Sequence, residues 1–352
     1  MTMGPRRGLT VALVLVVGGL TGCSGDPGPR AVTPATSTTT GAAPSSTSVA
    51  PTAPPTTATT VSLRAATWHP RAPAPIARQE VASASLDGKV WVIGGLTSAG
   101  ASNVVESYDP ATDRWAPGPS LPLAVHHAAA TVYRGEIVVL GGFVEAGTLY
   151  AQATDRAFAL RNGAWVELPH LRRPRGAAAA AVVGDALVLV GGRDAAILIG
   201  PTEVFDGTAW HDAEPVPTRR DHLAAVSDGR SVFAVGGRFL SPGATSGALE
   251  RFDPAANAWE RLPAMPTARG GLAAAMVGGR IVAAGGEDPT GTFAQVEAFD
   301  VAAGAWSSLA PLSTPRHGLA VERVGNQVLA LVGGTAYGVA PSKVAEALSP
   351  VS

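Results

Sequence analysis

Cysteine is all but missing: 352 residues contain one, Cys23. A single thiol excludes an intrachain disulfide framework, a cysteine-rich zinc site and a dithiol redox pair. Lysine is nearly as scarce, present only at Lys89 and Lys343, so arginine carries almost all the positive charge. The net charge of −1 gives no reason to expect a nucleic-acid partner. Aromatic residues make up 5% and charged residues 15% of the chain. The run from Leu9 to Leu20 is twelve residues long, well short of the roughly 20 that a helix needs to cross a bilayer. What the chain does have is 46% hydrophobic residues and 42 glycines, enough apolar surface for a large core interrupted by many turns.

The N-terminus reads as an export signal. Arg6 and Arg7 precede the apolar run, and "LTGC" closes it. The stretch Leu20-Thr21-Gly22-Cys23 resembles the lipobox of bacterial lipoproteins. That resemblance implies a signal peptide over 1–22, lipid attachment at Cys23, and a place at the extracytoplasmic face of the cell membrane. Two acyl chains on a diacylglyceryl group suffice for stable anchoring. The arginine pair leaves a folded-export route open beside the general one. Residues 23–62 are almost entirely Ser, Thr, Pro, Ala and Gly, without an aromatic residue. Such a segment buries too little to offset its ordering entropy, so it is expected to be a disordered tether.

From Leu63 onward one pattern recurs. Glycine pairs stand at Gly94, Gly141, Gly191, Gly236, Gly285 and Gly333, spaced by 47, 50, 45, 49 and 48 residues. Five are followed by a lone tryptophan: Trp115, Trp165, Trp210, Trp259 and Trp306. Each unit reads as four short strands, a to d, with turns such as "LDG", "YRG" and "SDG" between a and b. Six copies of a unit near 48 residues indicate an array whose members bury each other's faces. The glycine pairs do not read as phosphate loops, because no Gly-x-Gly-x-x-Gly spacing leads into a helix.

Glycine pairs after an apolar strand, an aromatic-Asp step and a spaced tryptophan resemble the kelch repeat. The resemblance implies an all-β, six-bladed β-propeller over residues 63–352. The sixth unit ends after "KVAEAL" without a tryptophan, while Trp68 stands alone before the first strand a. The segment around Trp68 is therefore expected to supply strand d of the last blade and so remove an open sheet edge.

Arg78, Arg175, Arg220, Arg269 and Arg316 lie 16 or 17 residues before their glycine pairs, and the second unit has Val125 there. Two readings stand open. The guanidiniums could ring one mouth and bind an acidic ligand, or pair with Glu106, Glu203, Glu250, Glu297 and Glu346 of strand c. The second unit lacks both partners and has Arg156 in place of the glutamate, as pairing requires. His126, His127, His222 and His317 fall on the same rim, as do Arg193, Asp221, Arg238, Glu287 and Tyr337, and Glu145, Tyr150 and Asp155 fall in the long second b–c stretch. His69, His170 and His211 belong near strand d at the surface. No metal site and no cofactor are expected, since the histidines lie on different units. Copper chemistry of the galactose-oxidase kind would need a Cys-Tyr crosslink that this chain cannot make.

The expectation is a monomeric, lipid-anchored propeller that binds a protein or an acidic glycan at the cell surface. The rival is an acidic-sugar enzyme resembling sialic-acid mutarotase, with a general acid and base on the rim.

Overall fold

A computed structural model of the chain describes residues 63–144, 152–241 and 243–349. Cys23, the lipobox and the tether lie outside them, as do Glu145 and Tyr150. Among the described residues no helix is long and apolar enough to cross a membrane.

Six antiparallel sheets stand around one axis, a six-bladed β-propeller. Blade 5 shows the plan: strand a Ala273–Val277, b Arg280–Ala284, c Val296–Asp300 and d Ala305–Ser308, ordered outward. The strand b segments are apolar on both faces, because each blade is covered by its two neighbours; Ile281, Val282, Ala283 and Ala284 are all fully buried. Strand d lies at the rim and is exposed except for the half-buried Trp306. The innermost strands are Ala82–Leu86, Ala129–Tyr133, Gly176–Val183, Ala224–Ser227, Ala273–Val277 and Ala320–Val324. Small side chains such as Ala130, Ala180, Ala225 and Ala274 let these converge, leaving two axial cavities of about 140 and 290 Å³.

The ring closes through its ends. Thr67–Pro70 pairs antiparallel with Ala345–Ser349, setting Trp68 against Leu348, and forms strand d of blade 6. Each spaced tryptophan proves to be a staple between blades. Its indole N–H donates to a backbone carbonyl just past strand d of the preceding blade: Trp115 to Ala72, Trp165 to Pro119, Trp210 to Pro169, Trp259 to Glu214 and Trp306 to Pro263, at 2.7–3.0 Å. Trp68 completes the set by donating to Ala310 at 2.9 Å.

The glycine pair serves close approach. A Cβ on Gly285 would come within 2.4 Å of the Arg316 carbonyl oxygen of the next blade. The following amide is used too, since Gly286 donates to that same oxygen at 2.8 Å. The sixth pair differs from the sequence reading by one residue. Gly333 occupies the second position, donating to the Arg78 carbonyl, so Val332 stands where the other blades have their first glycine. Val332 accordingly holds φ of 52°, a left-handed conformation uncommon for a β-branched residue. In this frame every arginine precedes its pair by 16 residues.

Candidate functional site

Strand a is preceded on one face by a fixed three-residue frame. Its first position carries Arg78, Val125, Arg175, Arg220, Arg269 and Arg316. The geometry takes the pairing alternative for the arginines. All five are 0–1% exposed and none presents its guanidinium to the mouth. Each reaches outward within its own blade to the strand c glutamate: Arg78 to Glu106 and Arg220 to Glu250 at 2.5 Å, Arg269 to Glu297 at 2.5 Å, Arg316 to Glu346 at 2.7 Å, and Arg175 to Glu203. In Arg220 and Arg269 the other N–H groups cap carbonyls at the end of strand b: Arg220 donates to Gly236 O and Ala234 O, and Arg269 to Gly285 O and Ala283 O. Burial pulls the guanidinium of Arg316 down to about 10 despite Glu346. Blade 2 replaces the whole pair. The register puts Phe158, not Arg156, at the glutamate position, opposite Val139 as Glu106 is opposite Val92. Val125 and Phe158 are both buried, so two apolar side chains stand in for a buried ion pair, as its desolvation penalty permits.

The third position of the frame lines the axis. It carries Glu80, His127, Ala177, His222, Gly271 and Gly318, all at positive φ between 52° and 65°. Their backbones join head to tail around the channel. His127 N donates to Glu80 O, Ala177 N to His127 O, His222 N to Ala177 O, Gly271 N to His222 O and Gly318 N to Gly271 O, at 2.7–2.9 Å, and Val81 N closes the circle to Gly318 O at 3.4 Å. Four of the six are not glycine, and left-handed residues that persist in this way concentrate at functional sites.

This circle brings together histidines that the sequence places on separate blades. His127 and His222 stand with ring centroids 4.8 Å apart. Glu80 sits between His127 Nε2, at 3.1 Å, and His317 Nδ1, at 3.0 Å. His126 lies behind His127 against Phe143. Arg238 donates to Glu287 Oε1 at 2.8 Å and to His222 Nε2 at 2.7 Å. Because a guanidinium only donates, His222 Nε2 accepts, and Nδ1 carries the hydrogen it gives to Asp221 at 2.7 Å. Arg193 approaches the other Asp221 oxygen at 3.5 Å. Burial by itself would raise the Glu80 carboxyl; the neighbouring histidines outweigh it and hold Glu80 well below the usual carboxylate range. Burial drives His127 well below the ordinary imidazole value against the pull of Glu80. It opposes but does not overcome Glu80 and Glu287 at His317, which is raised.

Glu80 was invisible to the motif reading, although it occupies the same frame position as His127 and His222. Below the circle a second carboxylate, Glu322, takes hydrogen bonds from Ser83 and Ser85 at 2.7 and 2.9 Å and borders both axial cavities. Burial raises it above the ordinary glutamate value. His69, His170 and His211 are exposed near the rim strands.

The comparisons agree with this architecture. The family model described as Kelch motif matches residues 77–122, 219–266 and 268–313, which fall on blades 1, 4 and 5. The "Kelch-like protein terF" of Aspergillus terreus is 27% identical over 246 residues, covering 64% of this chain and 53% of that protein. The human "Kelch repeat and BTB domain-containing protein 13" is 34% identical over 109 residues, covering 30% of this chain and 23% of that protein. The chain thus spans about half the length of the first relative and less of the second. A solved structure described as "Structure of YjhT" superposes with a TM-score of 0.68 at 17% identity, covering 78% of this chain and 95% of that one; the likeness is one of fold. The class follows from the six repeating sheets: the chain is a six-bladed β-propeller, and three of its blades match the Kelch motif.

Proposed function

We propose that the protein is an exported, lipid-anchored propeller that binds a partner protein at the extracytoplasmic face of the cell membrane, using the face formed by its b–c connections. One observation carries this reading. Among the described residues six large hydrophobic side chains are exposed: Val166, Ile197, Phe239, Leu240, Tyr337 and Val339. All but Val166 belong to b–c connections, of blades 3, 4 and 6. The opposite face carries the tight polar a–b and c–d turns. Apolar side chains gathered on loops of one side of a rigid ring favour a docking surface over a passive one.

The test places a photo-crosslinking residue at Tyr337 or Phe239, and as a control at Asp87 in an a–b turn, in cells expressing the full chain. Adducts from the two loop positions and none from Asp87 support the reading; equal adducts or none at all refute it. The anchor is tested by Cys23→Ala, which moves the protein from the membrane fraction to the soluble one.

A second reading rests on the axial cluster. His127 with Glu80 and His222 with Asp221 are acid–base pairs, and Arg238 suits a carboxylate. An enzyme acting on acidic sugars would speed anomeric exchange above the spontaneous rate, followed by NMR, and lose that on His222→Ala.

A further inference from the structure

The axial cluster contains a contact that the hydrogen bonds of the fold do not account for. His317 is 1% exposed and its two ring nitrogens face opposite surroundings. Nε2 meets carbonyl oxygens, Ala336 O at 3.2 Å and Gly338 O at 3.1 Å, so it carries a hydrogen. Nδ1 meets carboxylate oxygens, Glu80 Oε1 at 3.0 Å and Glu287 Oε2 at 3.4 Å. Both contacts stand as ion pairs in which Nδ1 is poorly aimed for a hydrogen bond. Two carboxylates meeting one ring nitrogen in a buried space call for a positive charge there, either a proton on Nδ1 or a cation that takes its place.

We propose that Glu80, Glu287 and His317 bind a divalent first-row transition ion, zinc or manganese, on the axis at the b–c face. The three residues offer one donor atom each, all within 4.8 Å of one another, and all three are buried. With metal–ligand bonds of about 2.1 Å, neighbouring ligands lie about 3.0 Å apart in octahedral and about 3.4 Å apart in tetrahedral coordination. The two distances from Nδ1 span that interval. One imidazole and two carboxylates form a donor set suited to zinc or manganese.

Each ligand is also oriented from behind, as ligands of a built site are. Glu287 turns its other oxygen to Arg238 at 2.8 Å, Glu80 turns its other oxygen to His127 at 3.1 Å, and His317 is fixed by the two carbonyls. The blade 6 loop that supplies those carbonyls is itself clamped by Gln79, which donates to Gly338 O at 2.7 Å and accepts from Ala340 N at 2.6 Å. Metal binding on the axis does not depend on whether the loop face docks a partner.

The test uses the full-length chain in detergent, stripped with a chelator, and equilibrium dialysis against Zn²⁺ or Mn²⁺ with elemental analysis. One equivalent should be retained, and melting should rise with metal concentration. His317→Ala and Glu287→Gln should each weaken binding by on the order of 100-fold, at or above the range set by outer partners alone. If either variant fails to fold, Cu²⁺ added to the wild-type chain should give an electron paramagnetic resonance spectrum with coupling to one imidazole nitrogen. No retained metal, or retention unchanged in His317→Ala, overturns the proposal. So does an NMR spectrum in which His317 stays doubly protonated at neutral pH with Zn²⁺ present.

Discussion

The five internal arginine–glutamate pairs make a quantitative prediction, because blade 2 shows what a blade does without one. Take Arg269 and Glu297. The arginine is fully buried and gives hydrogen bonds to Glu297 Oε2, Gly285 O, Thr267 O and Ala283 O, while Thr267 Oγ1 completes the glutamate. Arg269→Val strands a buried carboxylate and Glu297→Phe strands a buried guanidinium; each should cost about 3–5 kcal/mol. The double variant copies Val125 and Phe158 and strands neither charge. It leaves three carbonyls without donors, at about 1 kcal/mol each, and adds an apolar side chain whose burial returns about 1.5–3 kcal/mol. Its stability should then lie within about 2 kcal/mol of wild type, a coupling of at least about 4 kcal/mol between the sites. Urea denaturation followed by tryptophan fluorescence measures all four corners of the cycle. Additive effects would refute the account, as would a neutral Arg269→Val, which would mean that the guanidinium is not integral to the blade.

Three other outcomes follow from the same geometry. Trp68→Ala removes the staple to Ala310 and a buried ring, and should lower stability by about 3–5 kcal/mol in urea, against little change for the exposed Val166→Ala. Gly285→Ala drives a methyl to 2.4 Å from a backbone oxygen; it should destabilise by more than the roughly 1 kcal/mol of an ordinary glycine exchange, read from the melting temperature. Glu322 has a folded-state pKa raised above its ordinary 4.5. Its favourable contribution is therefore complete at acid pH and disappears as pH rises through the raised value. Glu322→Gln should flatten that fall and leave the protein more stable than wild type at neutral pH; a variant that is less stable there contradicts the burial argument.

Repetition is what made the fold legible. Six glycine pairs and a stray Trp68 define blade number and closure, because each answers a demand that recurs in every blade. Register was less secure where one copy departs from the rest. Val332 tolerates the left-handed position of a glycine, which shifted the sixth pair by a residue, and Phe158 was overlooked beside the more conspicuous Arg156. The axial cluster was half legible. His126, His127, His222 and His317 stood out as residue types, but their meeting depends on a circle of backbone hydrogen bonds that no single repeat encodes. Glu80 needed the repeats aligned on their arginines before its place beside His127 could be seen.

The seam in blade 6 also orders events in time. Thr67–Pro70 leaves the ribosome before any other part of the ring, and its partner Ala345–Ser349 leaves last. The first strand made must wait, unpaired, for the final one. A chain that stops before Ala345 therefore lacks the pairing that closes the ring, and this five-residue stretch is the last piece that the closure waits for.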